Sequence, residues 1–177
     1  MAFERIGGET VYEGKIATVK KERFRYDDGE EAEREIIEHP GAAAVVAHDG
    51  ERIYLVRQPR EPVQEQALLE LPAGKLDEEG EEPLDTAKRE LAEEIGKAAD
   101  TWQFLKTFYT SPGFAAEEVH LFLATGLRDE KAEADENERI EVVTYPLDRL
   151  DDAIADCADS KSLVGLLWLK AYLLRTA

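Results

Sequence analysis

At 177 residues the chain is long enough for one domain with a full core and a small appendage, and too short for two independent domains. Its 22 basic and 40 acidic side chains leave a net charge of −18, which argues against non-specific binding to nucleic acid or to anionic membrane surfaces. One cysteine, Cys157, excludes an internal disulfide framework, and no stretch approaches the roughly 18 apolar residues of a spanning helix or a targeting pattern, so a soluble cytoplasmic protein is expected.

Residues 9–38 alternate apolar and polar types around Asp27-Asp28-Gly29, a hairpin turn, and predict a small antiparallel β unit. His39-Pro40-Gly41 interrupts regular structure, which gives an expected division into an N-terminal β unit (residues 1–40) and a main domain with a C-terminal helix (residues 41–177). Residues 43–47 read as a buried strand and residues 52–57 as its hairpin partner, while Pro59 and Pro62 predict an irregular path up to residues 68–71. Further on, strands are expected at residues 103–109 and 118–124 on either side of a Ser111-Pro112-Gly113 turn. An acidic loop then covers residues 128–138, before a strand at 139–145 that directs Ile140, Val142 and Val143 into the core. Helices follow at residues 147–157 and 160–175, the second with Leu163, Leu166, Leu167, Leu169 and Leu173 on its apolar face and Ser160 as its cap. Strands before and after a central helix indicate a mixed α/β or α+β fold rather than a regular βαβ array.

The central helix lies in the most informative stretch, residues 74–97. Pro83 suits a first helical turn, Glu81, Glu82 and Asp85 suit the positive end of the helix dipole, and Gly96 suits a stop. Leu84, Ala87, Leu91 and Ile95 fall on one stripe, and Glu90, Glu93 and Glu94 project from another side. Such acids repel one another unless positive charge sits among them. A solvated helix paired through Lys88, Arg89 and Lys97 is the plain explanation; a divalent-cation site that uses carboxylate oxygens and bridges to phosphate is the other, with Arg89 as an internal counter-charge.

The stretch resembles the signature of the Nudix hydrolases: G, five residues, E, seven residues, REU, one residue, EE, one residue, GU. From Glu81 the match runs through Arg89-Glu90-Leu91, Glu93-Glu94 and Gly96, with two departures: six residues separate Gly74 from Glu81, and Lys97 replaces the apolar last residue. Outside this box, Pro112 in a Ser111-Pro112-Gly113-Phe114 turn, Glu70-Leu71-Pro72-Ala73-Gly74, Val56-Arg57-Gln58-Pro59-Arg60 and the N-terminal strands resemble the ADP-ribose pyrophosphatase subfamily.

The resemblance implies an α/β/α sandwich with a mixed sheet and a small N-terminal antiparallel β unit. It implies hydrolysis of ADP-ribose to AMP and ribose 5-phosphate, with magnesium as cofactor and manganese as the alternative. Glu90 and Glu94 match the principal metal ligands, Glu93 a third ligand or the base, and the Ala73 carbonyl a further ligand. In the acidic loop Glu136 matches a catalytic base and Glu138 another ligand, although solvated acids explain that loop equally. Arg57 and Arg60 are the local positive charges suited to a diphosphate, against surface pairing with Glu61 or Glu65. Glu70, Pro112 and Glu117 are the remaining substrate-binding candidates, Glu117 toward a sugar hydroxyl or as an exposed acid at a strand start. Another nucleoside diphosphate sugar such as GDP-mannose, or a non-catalytic nucleotide-binding regulator, are the competing functions. A homodimer that exchanges its N-terminal strands is also implied.

Overall fold

Alternation at the N-terminus produces three strands, β1 (Phe3–Glu13), β2 (Thr18–Tyr26) and β3 (Glu31–Glu38), paired antiparallel in that order. The computed structural model describes residues 2–131 and 139–176. Strand structure begins at Phe3 rather than at residue 9 because the Phe3 ring packs edge-on against Phe24 and Tyr26. The β2–β3 turn falls where expected, with Gly29 at φ 86°. The chain up to Gly41 forms a compact unit together with Phe108–Glu118. Within it, Ile37 N–H donates to Phe114 O (2.8 Å) and Ala116 N–H to Ile37 O (2.9 Å), which ties the Pro112 turn to β3.

The second unit comprises Ala42–Thr107 and the chain from Val119 onward. Its strands are β4 (Ala42–His48), β5 (Arg52–Arg60), β6 (Glu65–Glu70) and β7 (Ala73–Lys75), followed by helix α1 (Pro83–Ile95). Then come β8 (Lys97–Tyr109), β9 (Glu118–Asp129) and β10 (Glu141–Pro146), and the helices α2 (Leu150–Asp156) and α3 (Ser160–Thr176). The sheet order is β10-β5-β4-β9-β8, with β6 added to β5 and β7 to β4. β4 runs antiparallel to β5 and β7 but parallel to β9, so the sheet is mixed.

An uninterrupted apolar run such as Ala42–Ala47 is stable as a strand only with both faces covered. On one face Ala43, Val45 and Ala47 pack with Ala87, Leu91 and Ile95 of α1 and Phe122 of β9. On the other lies α3, whose Leu166 and Leu169 are fully buried, each contributing about 1.5–3 kcal/mol of transfer free energy. The result is the expected α/β/α sandwich.

Three local expectations are corrected. β5 continues through Pro59 to Arg60, because the proline sits where the β5–β6 register shifts and no ladder bond is needed from it. Val142 is 45% exposed, although Ile140 just before β10 packs against the core and Val143 is half-buried. In α3 the cap is Asp159, whose carboxylate accepts Ser162 N–H at 3.0 Å, rather than Ser160, and Leu167 is 51% exposed. Among the described residues, no helix is long and apolar enough to cross a membrane.

Gly165 permits the α3 contact: a Cβ there would stand 2.5 Å from Leu71 Cδ1 and 2.9 Å from Val46 Cγ2. Gly165→Leu is therefore expected to cost about 1–3 kcal/mol, read from urea unfolding monitored by circular dichroism.

Candidate active site

Helix α1 begins at Pro83, with Glu82 O accepting Thr86 N–H, and ends at Gly96, whose φ of 66° lets its N–H close on Ala92 O. The stripe of Ala87, Leu91 and Ile95 is buried as expected, with Leu84 packed beside it. Glu94 departs from the simple two-faced helix. One turn beyond Glu90 and next to the apolar stripe, it is only 7% exposed, and its Oε2 accepts Ala73 N–H at 2.9 Å. The helix is thereby tied to β7 through a carboxylate.

The counter-charge is Arg89. Its Nε and Nη2 donate to the two oxygens of Glu81 (3.1 Å each), and its Nη1 to Glu90 Oε1 (2.7 Å) and Glu93 Oε2 (3.0 Å). These bonds, Glu81 first, hold the guanidinium far above its ordinary pKa against the opposing effect of burial. The Glu81 carboxyl lies below its ordinary value, chiefly through the Arg89 bond and also through Thr86 Oγ1 (2.8 Å). The two lysines stand apart from this cluster: Lys88 pairs with Asp85, and Lys97 with Asp129 at 2.6 Å while lying over the Tyr54 ring. Lys97 thus has polar partners at a position where the family signature has an apolar side chain.

Gly74 meets the helix at its closest point. A Cβ on Gly74 would fall 1.8 Å from Glu90 Oε1, so the Glu90 carboxylate rests directly on the glycine backbone. The extra residue before Glu81 is accommodated in a loop containing a Lys75–Asp77 ion pair and Gly80 at φ 81°, leaving the Gly74–Glu90 and Glu81–Arg89 contacts in place.

Glu94 and Glu90 rest against the Ala73–Gly74 backbone and Glu93 shares Arg89 with Glu90, and carboxylate oxygens are the donors a hard divalent cation takes. Among the described residues no three acidic, histidine or cysteine side chains already converge into a metal cage, and Glu90 and Glu93 are turned toward Arg89. Glu136 and Glu138 lie outside the described residues.

The two candidate arginines have different surroundings. Arg57 Nη1 donates to Ala67 O (3.2 Å) and its Nη2 to Tyr145 Oη (3.2 Å), with Asp156 at 3.7 Å, so it links β6, β10 and α2. Arg60 forms a two-bond fork with Glu70, which is 1% exposed, and also lines a polar cavity of about 550 Å³ shared with Gln58, Gln66 and Arg139. Neither arginine takes Glu61 or Glu65 as its partner in these contacts. The sequence reading missed Lys161 and Asp159, which join Glu70 from the start of α3; Asp159 was detectable as an alternative cap, but its link to β6 was not. In the N-terminal unit, Glu117 accepts Thr110 Oγ1–H (2.7 Å) and stands 3.6 Å from His39 Nδ1. Pro112 lines an apolar cleft of about 390 Å³ with Phe3, Phe24, Tyr109 and Phe114.

A family model, the NUDIX domain, matches residues 38–164. The chain belongs to the Nudix family. It is 46% identical to the ADP-ribose pyrophosphatase of Bacillus subtilis (strain 168) over 81% of this chain and 78% of that protein. It is also 38% identical to the methanol dehydrogenase activator of Bacillus methanolicus, over 92% of this chain and 89% of that protein. The crystal structure of an ADP compounds hydrolase covers 100% of the chain, and the chain 97% of it, at a TM-score of 0.87 and 23% identity, a likeness of fold. This Nudix hydrolase, closely related to the ADP-ribose pyrophosphatase subfamily, acts on phosphoanhydride bonds of nucleoside diphosphate-linked substrates.

Two outcomes follow for this Nudix hydrolase. Gly74→Ala leaves the fold intact, because the atoms its Cβ meets end a flexible side chain, but it displaces Glu90 and lowers kcat/KM by roughly tenfold or more, with thermal melting as the control. Because the folded Glu81 pKa is depressed, the stabilisation it provides is complete above the ordinary carboxylate range and fades as pH falls through the folded value. Glu81→Gln therefore melts below wild type at neutral pH, and the gap closes in a melting series carried down into acid.

Proposed function

We propose that the chain hydrolyses ADP-ribose to AMP and ribose 5-phosphate in a magnesium-dependent reaction, with manganese as a substitute metal. The observation that most supports this substrate is the 46% identity to an ADP-ribose pyrophosphatase over 81% of the chain. Geometry supports the chemistry, through acids clustered on one helix, fixed by Arg89, Ala73 N–H and Gly74.

In this reading Glu90, Glu93 and Glu94 hold the metal with the Ala73 carbonyl, and Glu138 contributes from the acidic loop. The bound cation supplies neutralisation of phosphate charge and acidification of the attacking water. The chain's own residues do the rest. Arg89 orients Glu90 and Glu93, and Ala73 N–H orients Glu94. Arg60, half-exposed on its cavity, is the diphosphate contact in preference to Arg57, whose donors already join β6, β10 and α2. Glu93 or Glu136 accepts the proton as the water oxygen bonds to phosphorus and the bridging P–O bond breaks. Glu117 and Pro112 are proposed as substrate contacts on the subfamily resemblance.

A second reading is a non-catalytic nucleotide-binding regulator, of which the methanol dehydrogenase activator relative supports only the regulatory part. Hydrolysis itself separates the two. A homodimer through the N-terminal strands is also proposed, supported by the exposure of Phe3, Val11 and Tyr12 on a three-stranded sheet that needs an apolar face covered.

The expected assay result is release of AMP from ADP-ribose only with magnesium or manganese, at a higher kcat/KM than from GDP-mannose. Glu93→Gln combined with Glu94→Gln lowers kcat by about 10² or more, and an unchanged rate defeats the carboxylate mechanism. Light scattering is expected to give twice the chain mass; a monomer defeats the dimer.

A further inference from the structure

Glu70 ends β6 as a buried carboxylate facing two cations. Arg60 donates Nε to Oε1 at 2.6 Å and Nη2 to Oε2 at 2.9 Å, and Lys161 donates Nζ to the same Oε2 at 2.5 Å. Lys161 also reaches Asp159 at 3.0 Å, and that carboxylate accepts both the N–H (3.0 Å) and the O–H (2.5 Å) of Ser162. Ser162 Oγ in turn accepts Leu71 N–H at 2.7 Å. The first turn of α3 is thus hydrogen-bonded to the segment that leads into Ala73 and Gly74.

A buried carboxylate must be compensated, and Arg60 alone is sufficient for that. The presence of a second cation is what needs a reason. A guanidinium has five donors in one plane, and Arg60 commits its Nε and one Nη2 hydrogen to Glu70, so the position of Glu70 determines where the remaining donors point. Lys161 fixes Glu70 through Oε2, the oxygen that also accepts Arg60 Nη2–H. It also changes the charge balance. Arg60, Glu70, Lys161 and Asp159 sum to zero, whereas without Lys161 the same group carries a net negative charge beside a site for an anion.

We propose that Lys161 is a positioning residue for the diphosphate: by holding Glu70 it sets the plane of the Arg60 guanidinium and keeps that arginine's charge available to an anionic substrate. This rests on Arg60 being the diphosphate contact proposed above.

The test measures kcat and KM with magnesium present, for Arg60→Ala, Lys161→Met and Lys161→Arg, using whichever nucleoside diphosphate sugar the wild-type enzyme hydrolyses fastest. Arg60→Ala raises KM. Lys161→Met also raises KM, by roughly tenfold, with kcat within about threefold of wild type, and Lys161→Arg restores most of the loss. A Lys161→Met enzyme that melts lower but keeps the wild-type KM, while Arg60→Ala raises it, overturns the proposal and leaves the arginine reading standing. An unchanged KM in Arg60→Ala overturns the arginine reading and this proposal with it. Should Lys161→Met fail to give a folded melting transition, Lys161→Gln, which removes the charge from a shorter side chain that still carries a donor, decides by the same KM comparison.

Discussion

Like charges on one helical face can be held together only if something positive is shared among them, and here that group is Arg89. Its planar fork reaches Glu81 on one edge and Glu90 and Glu93 on the other, so a single residue orders three acids drawn from the loop and the helix. Glu94 is ordered differently, by a backbone N–H. Folding therefore holds these acids in place, with Glu90 and Glu93 turned toward Arg89 rather than converged on one point.

The sandwich explains why these contacts meet. β4 is built from small residues, so α1 and α3 approach it closely from both faces, and α1 comes within reach of the Ala73–Gly74 backbone at the edge of β4. Gly74 is required at that approach for a steric reason, since any side chain there would occupy the place of the Glu90 carboxylate. The residue added to the following loop changes neither contact, which is consistent with surface loops tolerating length more readily than packed segments do.

Features encoded over a few residues were legible in the sequence. The limits of α1 follow from Pro83 and Gly96, and its buried stripe from the spacing of Ala87, Leu91 and Ile95. The sense of β4 and β5 followed from composition and a turn. What escaped depends on partners distant in the chain. Glu94 turns inward because β7 offers an N–H, and Glu70 is clamped by a lysine 91 residues further on. Local rules also gave way where tertiary structure relieved them: Pro59 is tolerated in β5 because a register shift excuses its missing donor. Nor does any pattern within residues 108–118 announce their hydrogen bonds to Ile37.

The burial of Glu70 separates it from the other ion pairs in its response to electrolyte. Pairs on the β1–β3 sheet, such as Arg25 with Glu31 and Lys21 with Glu33, stand in solvent, where counterions at physiological strength screen over about 8 Å. Glu70 has no such atmosphere around it. Rising ionic strength thus weakens those exposed pairs, each a small contribution, while the Glu70 carboxylate inside its clamp is shielded from it.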